Sequence, residues 1–340
     1  MKPVILRTDA ELFILEPRMQ ALTEIAEVIT APSDDEATLI DMAADADIIL
    51  TCYAFITKAV IEAAPRLRGI VKYGVGTDAI DINTASARGI AVVNCPDYGT
   101  DTVADHAFAL LMALGRRIPE IDRDMRAQGW RWPEAGIKGV DVSHKTLGLL
   151  GCGLIGRAMA RRGLGFSMDV ISYDPYVDDA VLHGLGITPV SFQDLLARSD
   201  YLSVHCVRTP ETHGMLGEAE FRAMKRGAYY INVSRGAIAS EPALIKALDG
   251  GWIAGAGIDV FEHEPLTKDY PLRGRDNVIL TPHLAWWTVE AFERCEDKTL
   301  RRLQEILAGR RPKHLKNPDV FKNADDGLPG VPSMLCEKQN

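Results

Sequence analysis

The chain has 340 residues, 47% of them hydrophobic and 25% charged, a mix that fits a folded globular protein of one large or two ordinary domains. Its formal charge of -9 and the lack of a long basic run argue against a nucleic-acid partner and against general attraction to an anionic membrane. No apolar stretch reaches the roughly 18 residues needed to cross a bilayer, and the six cysteines (52, 95, 152, 206, 295 and 336) are scattered without a CxxC pair. Free thiols in a reducing cytoplasm are therefore expected, with no metal site and no disulfide framework.

The opening MKPVILRTDAELFILEP carries acidic residues between its short apolar runs and does not read as a signal peptide. Within and after it, short apolar runs alternate with helical patterns. PVIL (3–6), DIIL (47–50), GIVKY (69–73) and IAVVN (90–94) read as strands, with helix-like segments such as RMQALTEIAEVI and INTASARG between them. From about Asp101 a long helical period, TVADHAFALLMALGRRI (102–118), is expected to carry the chain into a second domain. A second strand series follows: TLGLLG (146–151), DVISYD (169–174), YLSVHC (201–206), AYYINV (228–233), AGAGIDV (254–260) and VILTP (278–282). The pattern TVEAFERCEDKTLRRLQEILAG (288–309) reads as the return helix.

Strand–helix alternation implies parallel sheets covered on both faces by helices. The expected fold is thus α/β, with two doubly wound parallel-sheet domains of the Rossmann or flavodoxin type and a cleft between them. One domain is discontinuous, 1–100 plus 288–340, and would bind substrate; the other, 101–287, would bind a dinucleotide. The tail from Arg311, with Pro312, Pro318, Pro329 and Pro332, is expected to be extended or partly disordered.

Gly151-x-Gly153-x-x-Gly156 closes one strand pattern and opens a helix, which raises it above a chance glycine cluster. The first glycine permits a tight turn, the second lets a pyrophosphate approach the backbone, and the third lets helix pack on strand. The helix start at Leu154 and Ile155 would present free N–H groups to the phosphates. Asp174 ends the next strand, where a carboxylate accepts hydrogen bonds from the adenosine ribose and repels a 2′-phosphate. NAD is therefore expected rather than NADP.

Nicotinamide chemistry needs a cation for the substrate, a proton donor for the carbonyl oxygen, and a group that holds the donor. Arg235 and His283 fall just beyond strands of the second series, Asp259 at the end of one and Glu264 in the loop after it, the end at which open α/β sheets bind ligands. At these residues the chain resembles the D-isomer-specific 2-hydroxyacid dehydrogenases. The resemblance spans about residues 1–315 and rests on YGVGTDAIDI, TVADHAFALLMALGRRI, GLLGCGLIGRAMA, VHCVRTPETHGML, MKRGAYYINVSRGAI, AGAGIDVFEHEPL and VILTPH.

The resemblance implies that Arg235 binds the carboxylate and carbonyl of a 2-oxo acid, that His283 is the acid–base residue, and that Glu264 pairs with it to favour the imidazolium. It also implies that backbone N–H groups of Tyr73, Gly74, Val75 and Gly76 receive the substrate carboxylate. Thr102, Cys206, Val233 and Asp259 would lie on the cofactor side. HLAWWT is similar to the pattern of the C-terminal-binding-protein subgroup, and Lys72 stands where that subgroup more often has arginine. Trp286 then either walls an apolar or thioether-bearing substrate or packs the junction, and Trp287 is expected to pack. The partner would be a small 2-hydroxy or 2-oxo acid, with an NAD(H)-sensing corepressor of vestigial activity, or a phosphoglycerate-type enzyme, as alternatives. The apolar surface of the crossing helix exceeds what one lobe hides, which predicts a homodimer.

Overall fold

A computed structural model describes residues 2–9, 17–130 and 132–321. The chain divides into two compact units, Met1–Gly99 with Thr288–Asn340, and Thr100–Trp287.

The first unit begins β1 (Val4–Arg7), α1 (Pro17–Ile25), β2 (Glu27–Thr30), α2 (Glu36–Ala43), β3 (Ile48–Thr51), α3 (Lys58–Glu62), β4 (Gly69–Lys72), α4 (Ile82–Ala87) and β5 (Ala91–Val93). The second runs α5 (Thr100–Gly115), α6 (Ile118–Gln128), β6 (Thr146–Leu150), α7 (Leu154–Gly165), β7 (Asp169–Tyr173), α8 (Asp179–Gly184), β8 (Thr188–Pro189), α9 (Phe192–Arg198), β9 (Tyr201–Val204), α10 (Glu218–Ala223), β10 (Ala228–Asn232), α11 (Glu241–Asp249), β11 (Ile253–Ile258) and β12 (Val278–Leu280). Helix α12 (Val289–Leu307) then completes the first unit.

Both sheets are parallel. The first has the order β2-β1-β3-β4-β5 and the second β12-β11-β10-β9-β6-β7-β8. Every residue of β1, β3, β4 and β5 is buried. These strands are covered on both faces, so their sequences read as unbroken runs rather than alternations. Asp35, Thr57 and Asp81 cap the helices between them, each accepting the N–H three residues on.

The order of each sheet reverses once, between β1 and β3 and between β6 and β9, and the crevice at such a reversal is where α/β sheets take ligands. In the second unit α5 lies against β10 and β11. Gly257 makes this possible, since a Cβ there would come 3.0 Å from Leu110 and 3.2 Å from Leu114.

Three local expectations are corrected, and one strand was not anticipated. The period read as one helix through Ile29 breaks at Ala26, and Glu27–Thr30 forms β2, a half-exposed edge strand. Two-residue β8, an edge of the second sheet, is too short to leave a pattern. The crossing helix ends at Gly115: Pro119 lacks an N–H and crowds the preceding turn, so Arg117 adopts a left-handed φ of 54° and α6 starts afresh. Nor is the whole segment from Arg311 loose. Leu315 bridges Val93, and the buried Asn317 side chain accepts from the Val92 N–H (2.9 Å) and donates to the Ile90 carbonyl (2.8 Å). The rest of that tail, with Pro329, Pro332 and Cys336, lies outside the described residues.

Candidate active site

The glycine loop sits at the strand reversal of the second sheet. Gly151 has φ +94°, and a Cβ there would come 2.6 Å from the Cys206 nitrogen. At Gly156 a Cβ would collide with the Gly151 carbonyl oxygen, whereas at Gly153 it would meet nothing within 4 Å. Closeness is thus needed at the first and third glycines, and room is left at the second, the N-cap of α7, which has no side-chain cap. Leu154, Ile155 and Gly156 form the first turn of that helix. Open space before uncapped N–H groups fits a pyrophosphate. Asp174 Oδ2 accepts the Cys152 N–H (2.7 Å) and Oδ1 the Tyr176 N–H (3.0 Å), so the carboxylate also braces the loop.

The histidine and its partners lie beyond β10, β11 and β12. His283 Nδ1 is 2.6 Å from Glu264 Oε2. A carboxylate cannot donate, so Nδ1 carries the hydrogen. Glu264 Oε1 accepts the Phe261 N–H at 2.8 Å. Burial alone would raise the Glu264 carboxyl, but the bond to His283, its charge, the Phe261 N–H and the charge of Arg235 together hold it below the ordinary value. Arg235 therefore belongs to the same cluster. Gly236 behind it has no room for a Cβ, because the Phe261 carbonyl and Glu262 nitrogen pack onto it, so the arginine loop and the glutamate loop are locked together. Asn232 adds a second brace, donating to the Arg235 carbonyl (2.9 Å) and accepting the Ser234 N–H (3.0 Å).

Asp259, which the resemblance puts on the cofactor side, comes directly after β11. Its side chain is fully buried and accepts from the Thr281 hydroxyl (2.6 Å) and from the N–H groups of Leu284 (3.0 Å) and Ala285 (2.9 Å). It caps the turn that presents His283. Thr102 is buried in the first turn of α5, Val233 is buried just past β10, and half-buried Cys206 follows β9, its carbonyl accepting from the Ser234 hydroxyl.

In the first unit the candidate residues follow β4. The Gly74 carbonyl accepts from the Cys95 N–H (2.9 Å) and the Val75 carbonyl from the Asn94 amide (2.6 Å). A trans peptide points its N–H opposite to its carbonyl. The N–H groups of Val75 and Gly76 are thereby aimed away from Asn94 and Cys95, as a carboxylate receptor requires. Tyr73 is buried and its ring tilts against Phe292 of α12, 6.2 Å between centroids. Lys72 is buried, with Nζ 5.4 Å from the centre of the Tyr53 ring.

Several neighbours escaped the sequence reading. Asp9 accepts the N–H groups of Cys52 (2.7 Å), Tyr53 (2.7 Å) and Ala54 (3.0 Å), so one carboxylate after β1 ties down the loop after β3. Arg7, buried at the end of β1, is a second cation in this unit, its guanidinium pKa lowered by burial against the opposing charge of Asp9. The available signal was a charged residue ending an otherwise apolar strand. Of the two tryptophans, Trp286 is 9% exposed and Trp287, expected to pack, is 49% exposed, with rings edge-on at 4.9 Å. Among the described residues no group of His, Cys, Asp and Glu is arranged to hold a metal, and no helix is long and apolar enough to cross a membrane.

Residues 108–285 match the family model described as D-isomer specific 2-hydroxyacid dehydrogenase, NAD binding domain. The chain is 44% identical over 275 residues to a glyoxylate reductase of Korarchaeum cryptofilum, across 80% of this chain and 83% of that protein. It is 38% identical over 308 residues to the D-3-phosphoglycerate dehydrogenase of Mycobacterium leprae, across 90% of this chain but 57% of the longer relative. The D-lactate dehydrogenase of Aquifex aeolicus, crystallised with NAD and lactic acid, matches the structure with a TM-score of 0.83 at 28% identity, across 97% of this chain and 100% of that one. Two parallel-sheet units and a dinucleotide loop, together with these matches, define a nicotinamide-dependent dehydrogenase. The chain belongs to the D-isomer-specific 2-hydroxyacid dehydrogenase family. It is an NAD-dependent enzyme acting on small 2-hydroxy and 2-oxo acids.

Proposed function

We propose that the chain reduces a 2-oxo acid to the D-2-hydroxy acid with His283 as proton donor, Arg235 as the cation for carboxylate and carbonyl, and Glu264 as the group that favours the imidazolium. Bound NADH supplies the hydride. His283 Nε2–H protonates the carbonyl oxygen, and Arg235 stabilises the charge that builds there before the proton arrives. In the first unit, Lys72 and the N–H groups of Tyr73 to Gly76 receive the substrate carboxylate. Cofactor contacts fall to Gly151 to Gly156, Asp174, Thr102 and the backbone at Cys206 and Val233. The observation that carries this reading is the 2.6 Å His283–Glu264 bond with the Arg235 charge beside it.

Trp286, three residues past the histidine, is assigned to the wall of the substrate side chain, which favours an uncharged side chain over a phosphorylated one. The test is NADH oxidation across 2-oxo acids with small, branched, thioether and phosphorylated side chains, comparing wild type with His283→Ala and Trp286→Ala. His283→Ala should lose about 10² to 10⁴ in kcat with every acid; Trp286→Ala should reorder the acids. Tight NADH binding without any turnover would favour the corepressor-like reading instead.

A homodimer belongs to the same reading. Much of α5 is buried, so its support moves to the neighbouring surface, where Ile118, Met125, Trp130 and Trp132 are exposed, the last two at 70% and 76%. Sedimentation of wild type beside a Trp130→Ser, Trp132→Ser double variant tests it: the first should sediment as a dimer and the second as a monomer.

A further inference from the structure

We infer that His106, on α5, is a positioning residue for the acid–base histidine, acting through Thr281 and Asp259. The inference rests on the proposed role of His283. His106 Nε2 lies 3.0 Å from Thr281 Oγ1, and Thr281 Oγ1 lies 2.6 Å from Asp259 Oδ1. The direction of these bonds follows from proton counting. Each Asp259 oxygen already accepts a backbone N–H, from Leu284 and from Ala285, so the Thr281 hydroxyl is the donor to Oδ1. A hydroxyl has one proton. Toward His106 the Thr281 oxygen can only accept, and His106 must offer Nε2–H. The order is His106 to Thr281 to Asp259, with His106 Nε2 itself 3.7 Å from the Asp259 carboxylate.

The end of this chain is the catalytic turn. His283 has φ 52°, a left-handed backbone that histidine adopts only when its surroundings impose it. The imposition is visible: its N–H donates to the Asp259 carbonyl (2.7 Å) and the Thr281 carbonyl (3.0 Å), and the next two N–H groups after it grip the Asp259 carboxylate. Three of the bonds that shape the turn thus end on Asp259, and the side-chain oxygen that orients Asp259 from the far side is Thr281, held by α5. An apolar residue at position 106 would fill the same space but leave the Thr281 hydroxyl free to rotate off Asp259. The His283 ring would then sample orientations away from Glu264.

The experiment compares His106→Gln, which keeps an N–H donor of similar reach, with His106→Leu, which does not, on a 2-oxo acid that wild type reduces. His106→Leu should lower kcat about tenfold, the size expected for losing a part-buried hydrogen bond and some alignment, with the KM for the oxo acid and the Kd for NADH within about twofold. Slower chemistry should raise the isotope effect on kcat with 4-deuterated NADH. His106→Gln should recover most of the rate, which a purely packing role would not predict. Thr281→Val cuts the same path, so adding His106→Leu to it should cost nothing more. A kcat for His106→Leu within twofold of wild type, equal behaviour of the Gln and Leu variants, or additive loss in the double variant would overturn the inference. Amide exchange at residues 283–285 gives an activity-free reading: it should quicken in His106→Leu, and unchanged exchange rejects the link even if no acid proves to be a substrate, the outcome that would reject the acid–base assignment alone.

Discussion

Replacing Glu264 by Gln isolates charge from shape at the centre of the proposed site. Glutamine carries no charge and has one acceptor oxygen; with that oxygen toward His283 Nδ1–H its NH2 faces the Phe261 N–H, a loss that bears on the loop in ground and transition state alike. The His283–Glu264 distance of 2.6 Å is that of a charge-assisted bond. Bonds to charged groups contribute about 1.5–3 kcal/mol and neutral ones about 0.5–1.5 kcal/mol, so neutralisation should cost about 1–1.5 kcal/mol. The two side chains are 29% and 30% exposed, which places the cost at the lower end. About 1 kcal/mol at the transition state is roughly a fivefold loss of kcat/KM. Initial rates at neutral pH should show this loss equally for reduction and oxidation, because the variant cannot change the equilibrium of the reaction. NADH binding, read by fluorescence, should be unchanged. Rates within twofold of wild type in both directions, or a loss traced wholly to NADH affinity, would refute the claim that Glu264 works by stabilising charge on His283.

Gly156→Ala places a Cβ closer than 3.0 Å to the Gly151 carbonyl, so α7 must move off the loop; about 1–3 kcal/mol of stability should be lost, and titration should show NADH binding weakened at least tenfold. His205, whose Nδ1 is buried without a hydrogen-bond partner among the described residues, has its imidazole pushed by burial down to about 3. Since that lies below the unfolded value near ~6.5, the unfolded chain takes up the proton first. The stability of the neutral ring is therefore full above about pH 6.5 and is lost as pH falls toward the folded value. His205→Gln should flatten the acid-side fall of Tm, and parallel melting curves for variant and wild type would count against it. Asn317→Ala removes the side chain that satisfies the Val92 N–H and the Ile90 carbonyl. It should lower the urea midpoint by an amount equivalent to about 2–4 kcal/mol, and a change below about 0.5 kcal/mol would mean the segment after α12 is not anchored there.

Much of the fold was legible because it is encoded locally. Strands buried on both faces need unbroken apolar runs, and PVIL, DIIL, TLGLL and AYYIN announce themselves without reference to the rest of the chain. The glycine loop, its helix and Asp174 are likewise set by neighbours in sequence. The losses are also physical. β2 and β8 are edges, where half-exposure removes the apolar signal, and Pro119 was overruled by a helical period that continued on both sides of it.

The candidate site divides in the same way. Arg235, Glu264 and His283 could be named as candidates because each lies in the loop that follows a readable strand. The long-range braces of the histidine turn and of the first unit's loops could not. Asp9 serves residues 43 and 45 positions away, His106 reaches Thr281 across 175, and Asn317 reaches Val92 across 225. Alternation of strand and helix specifies that the sheets are parallel but leaves their order open. Only when β3 lies beside β1 does Asp9 find the loop it ties down, and only with α5 laid across β11 and β12 can a helix residue steady the turn of the histidine. Hydrogen bonds are satisfied by whatever the fold brings within 3 Å or so, and for these side chains the partner was chosen by strand order and helix packing, not by any spacing along the chain.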